Sequence, residues 1–128
     1  MNQSFPKREK LKSKKLIELL FSEGKSISVY PIKLVYLKTA LEAEVHIQAG
    51  VTVSKRNFKN AVSRNRIKRL LRESYRLNKH LVFNILEEDY TFMFLYLGKE
   101  MPVYHDLEKK MITIFQKLLI KEKNEKNS

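Results

Sequence analysis

Residues 61–76 read A-V-S-R-N-R-I-K-R-L-L-R-E-S-Y-R, and this stretch decides how the rest of the chain is read. It contains no Gly or Pro, and its Leu and Arg residues favour helix. At about 100° per residue, Ile67, Leu70, Leu71 and Leu77 gather on one side. Arg64, Asn65, Lys68, Arg69, Arg72 and Arg76 occupy an arc of roughly 140° across from them, with Arg66 at its border. The pattern predicts a helix with one side for a core and the other for a polyanion.

Such an arc is costly to carry without a partner. Like charges at i,i+4 spacing (Arg64 with Lys68, Lys68 with Arg72, Arg72 with Arg76) each cost about 0.2–0.5 kcal/mol. Glu73, four residues from Arg69, is the one acid in the stretch. A face kept only for solubility usually mixes its signs. Arg outnumbers Lys here, which favours phosphate, because guanidinium binds it in a bidentate fork.

The chain has 128 residues, enough for one core and too few for two ordinary domains. Its net charge of +12 points to a polyanionic partner, nucleic acid before an anionic membrane surface. With no Cys, disulfides, thiolate metal sites and thiol nucleophiles are excluded. No apolar run approaches a membrane span, and the first residues lack the apolar core of a secretory signal. A cytoplasmic protein without a membrane partner is expected.

Outward from the central stretch, residues 1–11 form a basic arm that contacts phosphate or stays mobile. A first helix is predicted over 12–22, with Gly24 as its stop. Spacing alone puts Phe21 in the core. Residues 29–38 read as a strand with Pro31 near its start, where a missing donor does least harm. Alternation places Ile32, Leu34 and Tyr36 on one face and Lys33, Val35 and Leu37 on the other. A loop or hairpin connection over 39–46 leads to a strand at 47–54, where Gly50 suggests a bulge or a close backbone approach. Lys55 and Arg56 then approach the central helix, which Asn57 or Asn60 could cap.

Beyond that helix come a short helical turn, a loop at 87–89, a buried strand at 90–97 ended by Gly98, and an amphipathic helix over 104–120. The polar tail 121–128 should fray. The order α-β-β-α-β-α describes one α+β domain, 12–120, with helices packed on a mixed sheet.

No catalytic or metal-binding constellation is visible. His46, His80 and His105 are scattered, without paired ligand spacing, and no Gly-rich phosphate loop occurs. Glu87, Glu88 and Asp89 read as a solvated turn. The chain looks like a binder.

Residues 58–73, F-K-N-A-V-S-R-N-R-I-K-R-L-L-R-E, closely resemble the signature of the bacterial ribonuclease P protein subunit. That family carries A-V-x-R-N-R-x-K-R-x-x-R on a helix, usually preceded by V-S-K, here Val53-Ser54-Lys55. Leu11-Lys12 and the aromatic-x-x-Gly of Phe21 to Gly24 also match, and the likeness extends over about residues 5–120. The resemblance implies a small α+β fold shared with a ribosomal protein domain, with a left-handed βαβ crossover. The usual rule for parallel strands predicts the opposite hand.

The resemblance also implies a role. The family's catalyst is a large RNA with bound Mg²⁺, and the protein assists removal of the 5′ leader from precursor tRNA, one protein per RNA. By position, Arg64, Asn65, Arg66, Lys68, Arg69 and Arg72 match the helix that lies beside the RNA subunit. Lys55, Arg56 and Arg76 extend that expected RNA-binding set. The family's leader cleft is expected to be lined by Ile17, Phe21, Leu34 and Tyr36, with Ile17 standing where many members have a second Phe. The resemblance places Mg²⁺ mainly on the RNA subunit and none on the protein.

A basic groove with ring faces suits a single-stranded leader, because stacking is worth about 1–3 kcal/mol per base and tolerates many sequences. Three other readings compete. They are a ribosomal-type structured-RNA binder without a part in tRNA processing, a major-groove DNA binder, and an anionic-membrane binder. The last is weakened by a narrow apolar side and the absence of Trp.

Overall fold

A four-stranded mixed sheet divides the molecule into two unequal layers. The computed structural model describes residues 4–42 and 44–126, so residues 1–3 of the expected arm, residue 43 of the expected connection and residues 127–128 of the expected tail lie outside the description. In chain order the elements are α1 (Lys14–Glu23), β1 (Lys25–Val29), β2 (Ile32–Lys38), β3 (Ile47–Val53), α2 (Ala61–Asn78), α3 (His80–Phe83), β4 (Tyr90–Tyr96) and α4 (Tyr104–Lys126). The sheet order is β1-β2-β4-β3. β1 pairs antiparallel with β2, and β2 with β4, whereas β3 pairs parallel with β4 across the α2 connection.

Strand alternation sends the two side-chain sets of β2 to different layers. Ile32, Leu34 and Tyr36 face the main core with Phe92, Phe94 and Tyr96 of β4 and Ile67, Leu71 and Tyr75 of α2. α4 closes this layer through Leu107, Met111, Ile114, Phe115 and Leu118. Val35 points to the opposite face, where it meets Leu11, Leu20 and Met93, with Leu16 and Ile17 of α1 packed beside them. Both faces of β2 and β4 are therefore covered over most of their length, Lys33 and Leu95 being only half-buried, which explains why β4 reads as a continuous apolar run rather than an alternating one.

The sheet has one strand more than the expected order. No element is expected over 25–28, between the stop at Gly24 and the strand start at residue 29, but Lys25–Val29 forms β1, hairpinned onto β2 through Tyr30-Pro31, where the expected 29–38 strand was to begin. β1 is an edge strand with only Ile27 buried, so its apolar signal is weak. Gly24 ends α1 for a steric reason. Its φ is −71°, an ordinary value, but an added Cβ would lie 2.3 Å from the Leu20 carbonyl oxygen and 3.0 Å from Val35 Cγ1. Gly50 stays in register opposite Met93, without a bulge.

Both chain ends depart from expectation. Residues 4–11 do not project as an arm among the described residues. Phe5 packs against Tyr75 with the rings tilted and their centroids 5.3 Å apart, and the Leu11 N–H donates to the Ala49 carbonyl at 3.0 Å. Glu9 and Lys79 form a buried ion pair at 2.6 Å, and the Lys79 ammonium also donates to the Ser4 carbonyl. Lys10 bridges Ala49, so this segment covers part of the β3 edge that would otherwise stay open. At the other end, α4 continues to Lys126 instead of fraying after residue 120. Glu122 accepts from the Tyr90 hydroxyl, and Glu125 pairs with Lys25. These contacts anchor turns that have few apolar residues.

Candidate nucleic-acid interface

α2 begins where the side chain of Asn60, rather than Asn57, accepts from the Val62 N–H at 2.7 Å. Its inner stripe is Ile67, Leu71, Ser74, Tyr75 and Asn78, all buried. The stripe runs through Tyr75 and Asn78, leaving Leu77 half-buried. Ser74 donates to the Leu71 carbonyl at 2.9 Å, and Asn78 donates to the Ser74 carbonyl at 2.8 Å, so the two polar side chains are satisfied within the core.

The outer side carries the cations, and they fall into two groups. Asn65, Arg66, Arg69 and Arg72 are exposed and surround one shallow hollow with Val62. Among the described residues, none of these three arginines makes an ion pair with an acid of the chain. Lys68 is half-buried beside them, and Lys55 and Arg56 are exposed in the turn leading into the helix.

Arg64 and Arg76 are used differently. The Arg64 guanidinium turns back to donate to the Phe58 and Lys59 carbonyls at 2.7 and 2.9 Å, pinning the loop before α2. Arg76 pairs with Glu73 one turn earlier, and that hydrogen bond holds the Glu73 carboxyl below its ordinary value. Glu73 thus meets Arg76 at i,i+3 rather than Arg69 at i,i+4, which leaves Arg69 available. Both Arg64 and Arg76 belong in part to the scaffold. Replacing Arg64 with Ala removes two hydrogen bonds worth about 1–2 kcal/mol together. Thermal unfolding should therefore show a lower midpoint, with a smaller loss of RNA affinity than an Arg69 change produces.

The expected cleft of Ile17, Phe21, Leu34 and Tyr36 does not form. Leu34 and Tyr36 are 0 % and 2 % exposed and lie in the layer beneath α4, on the opposite face of the sheet from α1. Burial, then the Glu122 charge, raises the Tyr36 hydroxyl above its ordinary value, and Lys121 lies over its ring at 5.8 Å. Ile17 packs on the α1 side instead. Phe21, one helical turn further on, is 50 % exposed, contrary to the core position that spacing gave it.

The β2 residues that share the α1 face are Lys33, Val35 and Leu37, offset by one from the expected pair. Lys33 stands opposite Leu95, and Leu95 opposite Thr52. All three are half-buried, a row next to the one that α1 covers. The alternation of residues 29–38 already separated these two sets. What it lacked was which layer the first helix would join.

Charge is polarised along the strands. Glu23, Glu42, Glu44, Glu87, Glu88, Asp89, Glu122 and Glu125 belong to connections and helix ends at one end of the sheet, where β2 finishes and β3 and β4 begin. Lys55, Arg56, Lys59 and Lys99 lie in the connections at the other end, where the acids are Glu100 and, in the first turn of α4, Asp106. A polyanion is therefore drawn to the side from which α2 starts. No helix among the described residues is long and apolar enough to cross a membrane.

Comparison with known proteins gives the family and the fold. The family model described as Ribonuclease P matches residues 5–119. The chain belongs to the ribonuclease P protein family. It is 39% identical over 118 residues to the ribonuclease P protein component of Porphyromonas gingivalis, covering 90% of this chain and 83% of that one. It is 34% identical over 132 residues to the component from Chlorobium phaeobacteroides, covering 93% and 90%. The fold matches the ribonuclease P protein of Thermotoga maritima with a TM-score of 0.69 at 21% identity, over 85% of this chain and 96% of that one. The Staphylococcus aureus protein gives a TM-score of 0.68 at 17% identity, over 84% and 93%. Membership in the ribonuclease P family carries a role in tRNA processing and a partnership with an RNA subunit.

Proposed function

We propose that the chain holds the catalytic RNA of ribonuclease P through the outer side of α2 and guides the 5′ leader of precursor tRNA along the open sheet row beside α1. The observation that carries this reading is the hollow of Asn65, Arg66, Arg69 and Arg72, whose arginines are exposed and have no acidic partner among the described residues. Guanidinium groups left free by their own fold are suited to phosphate. Lys55 and Arg56 extend that surface toward the end of β3. The row of Lys33, Leu95 and Thr52, with Ile17 and the exposed Phe21 ring on α1, offers a single strand one cation, a hydroxyl and a few apolar contacts.

In this reading the RNA subunit performs the endonucleolytic cleavage, and the protein supplies no catalytic side chain. Mg²⁺ belongs mainly to the RNA. Among the described residues no three acidic or histidine side chains are grouped to hold a metal ion. The protein's part is to lower the repulsion between two polyanions, so that substrate docks with fewer cations condensed on the RNA. One protein per RNA and a cytoplasmic setting complete the proposal.

Reconstitution with the cognate RNA tests it. Omitting the protein at low Mg²⁺ should reduce precursor tRNA cleavage at least about tenfold, and high Mg²⁺ should restore much of it. Equal cleavage with and without protein at every Mg²⁺ concentration would favour a structured-RNA binder outside tRNA processing.

A further inference from the structure

The β1–β2 turn and the loop from β4 to α4 are tied into one rim. The Leu97 N–H donates to the Pro31 carbonyl at 2.7 Å, and the Tyr96 hydroxyl donates to the Glu100 carbonyl at 2.7 Å. Gly98 is packed so closely against the Tyr96 ring that an added Cβ would lie 2.5 Å from its hydroxyl oxygen. Between the two walls lies a cleft of about 510 Å³, within the size range of small-ligand sites, and its lining includes Tyr30, Met101 and Val103, with Lys99 and Lys110 balanced by Glu100 and Asp106. Tyr30 is 67 % and Val103 64 % exposed, so this apolar surface is not part of either core cluster.

We propose that this cleft takes one unpaired nucleotide of a bound RNA, with the Tyr30 ring as the stacking platform. The proposal rests on the RNA-binding reading above and adds a separate site to it. Asp106 accepts from an exocyclic amino group of the base, and Lys99 and Lys110 face its phosphates.

The chemistry of the lining favours this occupant over an apolar peptide or a second copy of the chain. A ring face binds any base, and a Tyr side chain has little freedom to lose. A carboxylate beside RNA is unfavourable unless it meets a donor, and the cytosine N4 amino group is such a donor. The cleft also opens at the cation-rich end of the sheet. Asn57 in the Lys55–Lys59 connection donates to the Leu97 and Gly98 carbonyls at 3.4 Å, which joins that connection to the rim.

The test is an amide chemical-shift titration of the full chain with cytidine 5′-monophosphate, uridine 5′-monophosphate and inorganic phosphate. Saturable shifts at Gly98, Met101 and Val103 are expected with the cytidine nucleotide, weaker ones with the uridine nucleotide, and none with phosphate. Tyr30→Ala should weaken the cytidine nucleotide about tenfold, Tyr30→Phe should retain it, and Asp106→Asn should erase the cytidine preference. An Arg69→Ala/Arg72→Ala variant should keep these shifts whatever it does to RNA affinity, so a failure of the α2 reading is visible separately. Equal shifts with phosphate alone, or no effect of Tyr30→Ala, would overturn the proposal. So would rim shifts that follow protein concentration without nucleotide, because they would assign the cleft to a second copy.

Discussion

Replacing Arg66, Arg69 and Arg72 together with Ala is expected to weaken association with the RNA subunit by about a hundredfold while leaving the fold as stable as before or more so. The estimate takes about 1 kcal/mol for each lost guanidinium–phosphate contact, or about 3 kcal/mol in all. The unchanged stability follows from the same structure. The three side chains are exposed and make no ion pair with an acid among the described residues, so truncation breaks nothing in the fold. Each Arg→Ala change also keeps or raises helix propensity, and removing Arg72 relieves its repulsion with Lys68. Binding by filter retention and unfolding by circular dichroism, on one preparation, check both halves. A large drop in the unfolding midpoint would make these arginines part of the scaffold instead.

The second large effect separates two aromatic side chains that the family resemblance had placed together. Tyr36→Ala should cost about 3–5 kcal/mol of stability, the range for emptying a large buried aromatic site. Tyr36 is almost wholly enclosed between β2 and α4, packed near Tyr90 at 6.5 Å between ring centroids. Its loss should weaken binding of leader-bearing and mature tRNA alike, through the smaller folded fraction. Phe21→Ala removes an exposed ring from α1 and should leave stability nearly unchanged. It should weaken leader-bearing substrate about five- to tenfold relative to mature tRNA. A leader-selective loss from Tyr36→Ala in well-folded protein would contradict the placement of the leader on the α1 face.

The central helix and its two sides were legible because seventeen residues without a breaker give an i,i+3/i+4 pattern time to repeat (Ala61 to Leu77). The run of β4 and the stripe of α4 were legible for the same reason. β1 was not. The pentapeptide K-S-I-S-V buries one residue, and its partner strand supplies most of the apolar surface. The docking of residues 4–11 rests on Glu9 meeting Lys79 and on Phe5 meeting Tyr75, pairings some seventy residues apart that no local pattern encodes.

The candidate site divides in the same way. Periodicity gave the cationic arc, but it could not tell Arg66, Arg69 and Arg72, which meet no acid among the described residues, from Arg64 and Arg76, which the fold uses. That distinction depends on where two carbonyls and one carboxylate fall. Leu34 and Tyr36 fall on the α4 side of β2, and their neighbours Lys33 and Val35 on the α1 side, where Val35 is buried and Lys33 is half-buried. On a strand a shift of one exchanges the faces completely.

The salt dependence of binding to the RNA subunit tests the role of α2 most directly. Each phosphate contact contributes about 0.7–0.9 to the slope of log K against log salt concentration. The Arg66→Ala/Arg69→Ala/Arg72→Ala variant should therefore show a slope shallower than that of the unaltered chain by about two to three. Parallel lines for the two proteins would mean that these guanidinium groups meet no phosphate, and the interface would have to lie elsewhere.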